Sequence, residues 1–317
     1  MRMLSPAFPE PGDPGSSAGA LLEPAPGPPR SLFRRGLAAF LEHKLAVAAV
    51  GVLACYIVFC YLGPVFYHGD TSQVRMGELT RPPGAGRPLG TDQQGVDELG
   101  KLMRSGRVTL EVGVTSGLLA SVIGTLYGAV AGYAGGWVDA LMMRTVDALM
   151  AIPIVFALVY LAATRGRTKT VFILAIALTS WFGLTRLTRG DTLALKVRDY
   201  VAACRMMGGR TPRILTRHIL PNTAGTTIVN TSLTVADSVF ALSVLSYLGL
   251  GLPAPDDDWG GMFAAGAGYL DQGYWWMIYP PGLSIVLVIV SCTLVGDALR
   301  DVFEPRRPQG VTRLWPS

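Results

Sequence analysis

Charge is scarce in this 317-residue chain: 15% of residues are Asp, Glu, Lys or Arg, half are apolar, and the mean hydropathy is +0.40. So little charge excludes an ordinary soluble enzyme. Histidine is rarer still. The three present, His43, His68 and His218, are scattered and leave little material for a zinc site or a histidine-based triad. The four cysteines (Cys55, Cys60, Cys204 and Cys292) contain no pair at metal-ligand spacing, so structural thiols and no metal are expected. The sequence has no H-E-x-x-H pattern and no G-x-x-x-x-G-K-[S/T] loop. The chain is therefore expected to be no enzyme in its own right and to bind no cofactor; any ATP and Mg2+ belong to partner subunits. The net charge of +5 is spread over loops at several helix ends, which gives no reason to expect a nucleic-acid partner.

What is present is long apolar runs. Charge-free stretches occur at Leu45–Tyr67, Val112–Val138, Ile219–Ala236 with Ser238–Pro255, and Gln272–Gly296, with shorter ones at Ala148–Thr164 and Thr170–Thr185. They predict six membrane-spanning helices, over 45–67, 110–133, 145–163, 170–190, 223–250 and 278–299. Gly117, Gly124, Gly128 and Gly132 lie inside the second, as expected where helix backbones approach closely. No Lys or Arg occurs between Arg217 and Arg300, so the segment with Asp256, Asp257, Asp258 and Asp271 is expected outside. Six spans then place both termini and the 190–222 loop in the cytoplasm. Arg165, Arg167, Lys169 and the basic loop 68–109 run against that rule.

Residues 1–30 are rich in Pro, Gly and Ser and read as a disordered cytoplasmic tail. Residues 31–44 carry apolar positions 32, 33, 37, 40 and 41 opposite charges, which suggests an interfacial amphipathic helix. The first span and an external loop occupy 45–109, the core of the bundle 110–300, and a cytoplasmic tail 301–317. In the fifth span Asn230, Thr234, Asp237 and Ser238 form a polar stripe at roughly helical spacing. An ionisable residue there is costly, so a water-filled pathway wall or a helix–helix hydrogen bond would explain Asp237.

Between Asp199 and Asn222 the chain reads DYVAACRMMGGRTPRILTRHILPN. A first helix from Tyr200 to Met207 is expected to close at Gly208 and Gly209. A second is expected to start with Thr211 as N-cap and Pro212 at its first position, and to stop at Pro221. The product is a compact basic knob bearing Arg205, Arg210, Arg213, Arg217 and His218. The stretch resembles the EAA loop of bacterial ABC-importer permeases, with Ala202, Ala203 and Cys204 on the EAA positions, Gly208 on the Gly, and Leu220 and Pro221 on the Leu-Pro. Ala202 stands where the family has Glu.

Four other blocks resemble the OppC/DppC branch of peptide permeases. They are Gly90, Thr91, Asp92, Gly95, Asp97, Gly106, Arg107, Thr109 and Leu110; GYAGGWVDALMMRTVDALMAIP at 132–153; SYLGLGLPAPDDDWG at 246–260; and VGDALRDVFEPR at 295–306. The resemblance implies an all-α integral membrane protein, with six transmembrane helices of the type I importer kind and a cytoplasmic coupling helix. It implies the bacterial inner membrane, and transport of di- or oligopeptides, nickel or another small solute. Implied partners are a homologous permease subunit, two ATP-binding subunits (or one fused) and an extracytoplasmic solute-binding protein. A secondary transporter or channel acting alone would leave the knob unexplained.

Overall fold

A computed structural model describes residues 40–67 and 76–303. The tail 1–30, most of the expected interfacial helix 31–44, His68 and residues 304–317 lie outside the described part. Among the described residues twelve α-helices occur; a short one at Gly63–Phe66 follows the first, and the others are α1 (Lys44–Tyr61), α2 (Glu98–Ala134), α3 (Gly136–Met150), α4 (Ile154–Arg165), α5 (Lys169–Ser180), α6 (Phe182–Leu195), α7 (Asp199–Met206), α8 (Thr211–Ile214), α9 (Leu220–Tyr247), α10 (Trp259–Ala267) and α11 (Tyr279–Phe303). Among the described residues, β structure is confined to isolated bridges at Gly84–Arg87 and Thr91–Asp97. The all-α membrane class expected from the runs is what the chain adopts.

Four stretches are long and apolar enough to cross a membrane: Lys44–Tyr61, Glu98–Ala134, Thr211–Tyr247 and Trp275–Phe303. Two bent pairs, α3 with α4 and α5 with α6, raise the number to six if each pair is one span. The continuous helices expected over 145–163 and 170–190 are therefore broken, by 81° and 43° respectively. At the first break Pro153 supplies no N–H and pushes Ile152 away from the helical region. At the second, the Trp181 indole Nε1 donates to the Leu178 carbonyl at 2.9 Å, satisfying an acceptor near the end of α5.

α2 is the central post. Its glycines meet partner backbone: a Cβ at Gly117 would stand 2.8 Å from the Cα of Val235 on α9. Cβ atoms at Gly124 and Gly132 would stand 2.7 and 2.8 Å from the carbonyl oxygens of Trp181 and Arg189, and one at Gly128 would collide with that of Thr185. Gly124, Gly128 and Gly132 thus face Trp181, Thr185 and Arg189, both rows stepping by four. Such rows let backbones touch where lipid removes most of the hydrophobic drive for association. The Thr185 hydroxyl donates to the Gly124 carbonyl at 3.3 Å across this seam.

Charges lock the same region. Arg189 grips Asp139 with Nε at 2.5 Å and Nη2 at 2.6 Å, and Arg186 donates to Asp147 at 2.6 Å. Asp139 and Asp147 of α3 thus pair across to α6, not along their own helix.

Two of the knob's expected boundaries are corrected. Arg210, not Thr211, occupies the N-cap of α8, and its side chain makes no cap hydrogen bond. Pro221 does not end the second helix: a π turn at Leu215–Ile219 joins α8 to α9 without a gap. The Leu220 amide reaches back five residues to the Leu215 carbonyl. That wider turn relieves the crowding a proline ring creates against the preceding helical turn.

Candidate functional site at the knob and the α6/α9 groove

The knob is held from inside and bare outside. Val201, Ile214 and Ile219 are fully buried, packed by Tyr133, Leu195, Cys204 and Leu215. Gly208 takes φ +78°, its amide donates to the Arg205 carbonyl at 2.9 Å, and the Gly209 amide donates to the Cys204 carbonyl at 2.9 Å. This left-handed closure is the one the paired glycines predicted. Outward face Ala202, Arg205, Met206, Met207, Arg210, Arg213 and Arg217, with Met206 and Met207 84% and 81% exposed. The Arg205 guanidinium lies 5.0 Å over the Tyr133 ring, which ties the knob to the end of α2. His218 is half-buried, its ring centroid 6.1 Å from that of Tyr200. Ala203, Cys204 and Leu220 are half-buried, Gly208 and Pro221 exposed. Between Asp199 and Asn222 there are four arginines and one acid, so the exposed face is strongly basic.

The four residues of the expected polar stripe occupy different settings. Thr234 and Ser238 are buried, and each donates its hydroxyl to the carbonyl four residues earlier, at 2.8 and 2.7 Å. Asn230 donates to the Thr226 carbonyl at 2.8 Å and lines a cavity of ≈ 220 Å³ with Leu187, Thr226 and Arg300. Asp237 lines a second cavity, ≈ 400 Å³, against Met150, Val155, Phe182 and Gly183. It opens beside both helix breaks. A non-helical backbone at membrane depth is tolerated where it lines a cavity or is buried in protein, and this placement fits that condition.

The opposite end of the bundle is sealed by the segment 76–97. Asp92 accepts from the amides of Gln94 and Val96 at 2.8 and 2.9 Å and pairs with Lys101 at 2.9 Å, while Asp97 caps α2 through the Gly100 amide at 2.8 Å. Both aspartates and Thr91 therefore serve turns and caps; the Thr91 hydroxyl donates to the Glu78 carbonyl at 2.6 Å. The Trp276 indole donates to the Thr91 carbonyl at 3.1 Å, and that of Trp259 to the Leu102 carbonyl at 2.9 Å. These contacts hold α10 against α2, and the turn before α11 against the 76–97 segment.

Asp258 caps α10 through the amides of Gly260 and Gly261 and accepts the Ser246 hydroxyl at 2.6 Å. Burial pushes its carboxyl up to about 6, against the pull of those three donors. The folded protein thus holds a proton that the unfolded chain releases near 3.8. Stability from this group is full below the lower value and is lost as pH rises through about 6. Thermal unfolding in detergent, followed by tryptophan fluorescence, should therefore show a downward step between about pH 4 and pH 6.5 that Asp258→Asn removes. An unchanged step in that variant would assign the dependence elsewhere.

Sequence reasoning missed the α3–α6 ion pairs and the place of Arg300. The available signal was two acids on one apolar segment and two arginines on the next, at spacings of eight and three.

Comparison with known proteins places these features. A family profile described as "Binding-protein-dependent transport system inner membrane component" matches residues 124–308, and one described as "N-terminal TM domain of oligopeptide transport permease C" matches residues 31–83. The chain is 36% identical to the dipeptide transport system permease protein DppC of Bacillus subtilis, over 84% of this chain and 83% of that one. It is 33% identical to the oligopeptide transport system permease protein OppC of the same organism, over 87% and 90%. Against OppC of Escherichia coli K12 the identity is 35%, over 87% and 92%.

Proposed function

The chain belongs to the family of binding-protein-dependent transport system inner membrane components, and on that premise we propose that it forms half of the translocation pathway of an ATP-driven peptide importer. The observation that carries the coupling role is the knob. It is basic, exposed, internally rigid, and continuous with a helix that crosses the membrane. Arg205, Arg210, Arg213 and the closure at Gly208 would meet a cytoplasmic ATPase. ATPase closure would move the knob as a body and switch the bundle between inward- and outward-facing states. ATP biases that equilibrium only through contacts that differ between the two states. Ala202 in the place of the family's Glu implies an ATPase contact built on arginine and methionine, without an acid at 202.

The remaining partners follow from the same reading: a second, homologous permease, paired ATP-binding subunits and an extracytoplasmic solute-binding protein. Both termini and the knob lie in the cytoplasm, and the end sealed by 76–97 faces the binding protein. The cavity at Asp237 belongs to the pathway. Purification of the tagged chain from its host in mild detergent, with mass spectrometry of what accompanies it, tests this reading. Recovery of a second multi-helix permease and of subunits bearing Walker motifs is expected. A chain that purifies alone as a stable, monodisperse transporter would overturn it.

A further inference from the structure

Both bent pairs break at one cavity. Met150 ends α3 and Val155 lies in the first turn of α4; Thr179 and Ser180 end α5, and Phe182 and Gly183 begin α6. All six line the ≈ 400 Å³ cavity that Asp237 of α9 also lines. Helix ends leave backbone carbonyls and amides outside the intrahelical ladder, so four of them around one cavity supply uncharged polar groups that a straight span lacks. Secondary transporters build their solute sites on interrupted helices of this kind. Asp237 is the ionisable residue among those lining the cavity, and it makes no hydrogen bond or ion pair with any described residue. The cations of α6, which walls the cavity with α9, are committed elsewhere, Arg186 to Asp147 and Arg189 to Asp139. An uncompensated carboxylate at membrane depth is costly unless something in the pathway answers it.

We propose that this cavity is a cation subsite of the translocation pathway, where Asp237 receives the free amino terminus of a peptide as its ammonium group. The inference rests on the importer reading given above and narrows its substrate class to solutes bearing a primary amine. The cavity falls within the range of about 300–1,000 Å³ usual for small-molecule sites. Its walls come from α3, α4, α5, α6 and α9 of this one chain, so a second permease need not contribute a residue to it. A bare divalent metal ion does not fit. One carboxylate among largely apolar walls falls short of the four to eight ligands that such ions take, and among the described residues no three metal-ligating side chains come together. An ammonium group asks for less. Asp237 supplies the charge, and carbonyls at the ends of α3 and α5, the negative poles of two helix dipoles, are suited to its remaining protons. The apolar remainder, with Leu158, Phe240 and Val244, lowers the local dielectric and strengthens the pair.

The test uses the complete complex in proteoliposomes, with a tripeptide of uncharged side chains and its N-acetylated form, each offered on saturating solute-binding protein. Wild type should take up the free peptide at least about ten-fold faster than the acetylated one. Asp237→Asn should slow the free peptide by about the same factor and leave the acetylated rate unchanged, while Asp237→Glu should keep most of the preference. A second measurement does not depend on how the binding protein treats acetylated peptide. Carbodiimide added during turnover should join the free peptide to the Asp237 carboxyl as an amide, detected by mass spectrometry of the fragment containing Asp237, and should leave the acetylated peptide unattached. Free-peptide uptake that is unchanged in Asp237→Asn would overturn the proposal, as would absence of the amide in a wild-type complex that transports. Loss of complex assembly in both Asp237→Asn and Asp237→Glu would overturn it too, by assigning Asp237 to packing against the partner permease. Absence of ATP-dependent uptake of either peptide by wild type would instead sink the importer reading itself.

Discussion

Gly128→Leu is expected to abolish accumulation of folded protein in the membrane. A Cβ at this position would collide with the Thr185 carbonyl oxygen and stand 3.0 Å from the Arg189 amide nitrogen. Both are backbone atoms of α6 that no rotamer change can move. Overpacking against flexible side chains costs about 1–3 kcal/mol, and a clash with helix backbone costs more. The damage would spread, because α6 also carries Arg186 and Arg189, which hold α3. Gly190→Ala on α6 is the contrast, since nothing lies within 4 Å of its Cβ position. Size-exclusion chromatography of a fluorescent fusion in detergent reads the result: an aggregated or missing peak for Gly128→Leu, a normal one for Gly190→Ala. A wild-type peak for Gly128→Leu would show that the α2–α6 seam is slack.

Gly208→Pro should spare the bundle and remove transport. Proline fixes φ near −65°, whereas Gly208 sits at +78°, and its amide donates to Arg205. The cost, about 3 kcal/mol or more, falls on the junction between α7 and α8. Gly208 is exposed, with nothing within 4 Å of its Cβ position, so the spans should insert and assemble as before. Uptake by the reconstituted complex should fall to background while ATP hydrolysis continues. Gly208→Ala, which strains the backbone by about 1–2 kcal/mol, should retain part of the uptake. Normal uptake by Gly208→Pro would remove the knob from the coupling step.

The parts of this fold legible in the sequence are those set by local physics. Apolar run length located α1, α2, α9 and α11, and the glycine pair at 208 and 209 marked the closure of α7. Charge-free runs could not show that α3 with α4, and α5 with α6, form bent pairs, since Trp181 offers no recognised breaker and Pro153 reads equally as a helix start. Pro221 misled because a π turn absorbs what an α turn cannot. The polar stripe was visible as spacing, yet Thr234 and Ser238 hydrogen-bond to their own helix, while Asn230 and Asp237 open into cavities.

The π turn at Leu215–Ile219 also sets an angle. It places one surplus residue between the arginine of α8 and the cavity-lining residues of α9, which rotates one relative to the other by about 100°. The helix from Thr211 to Tyr247, 37 residues and about 55 Å long, therefore works as a crankshaft whose two cranks are set at a fixed phase. The two ends are joined by one unbroken helical stretch, with Pro221 inside it. The angular offset between the two ends is then a property of the helix itself, written into the five residues of a single wide turn.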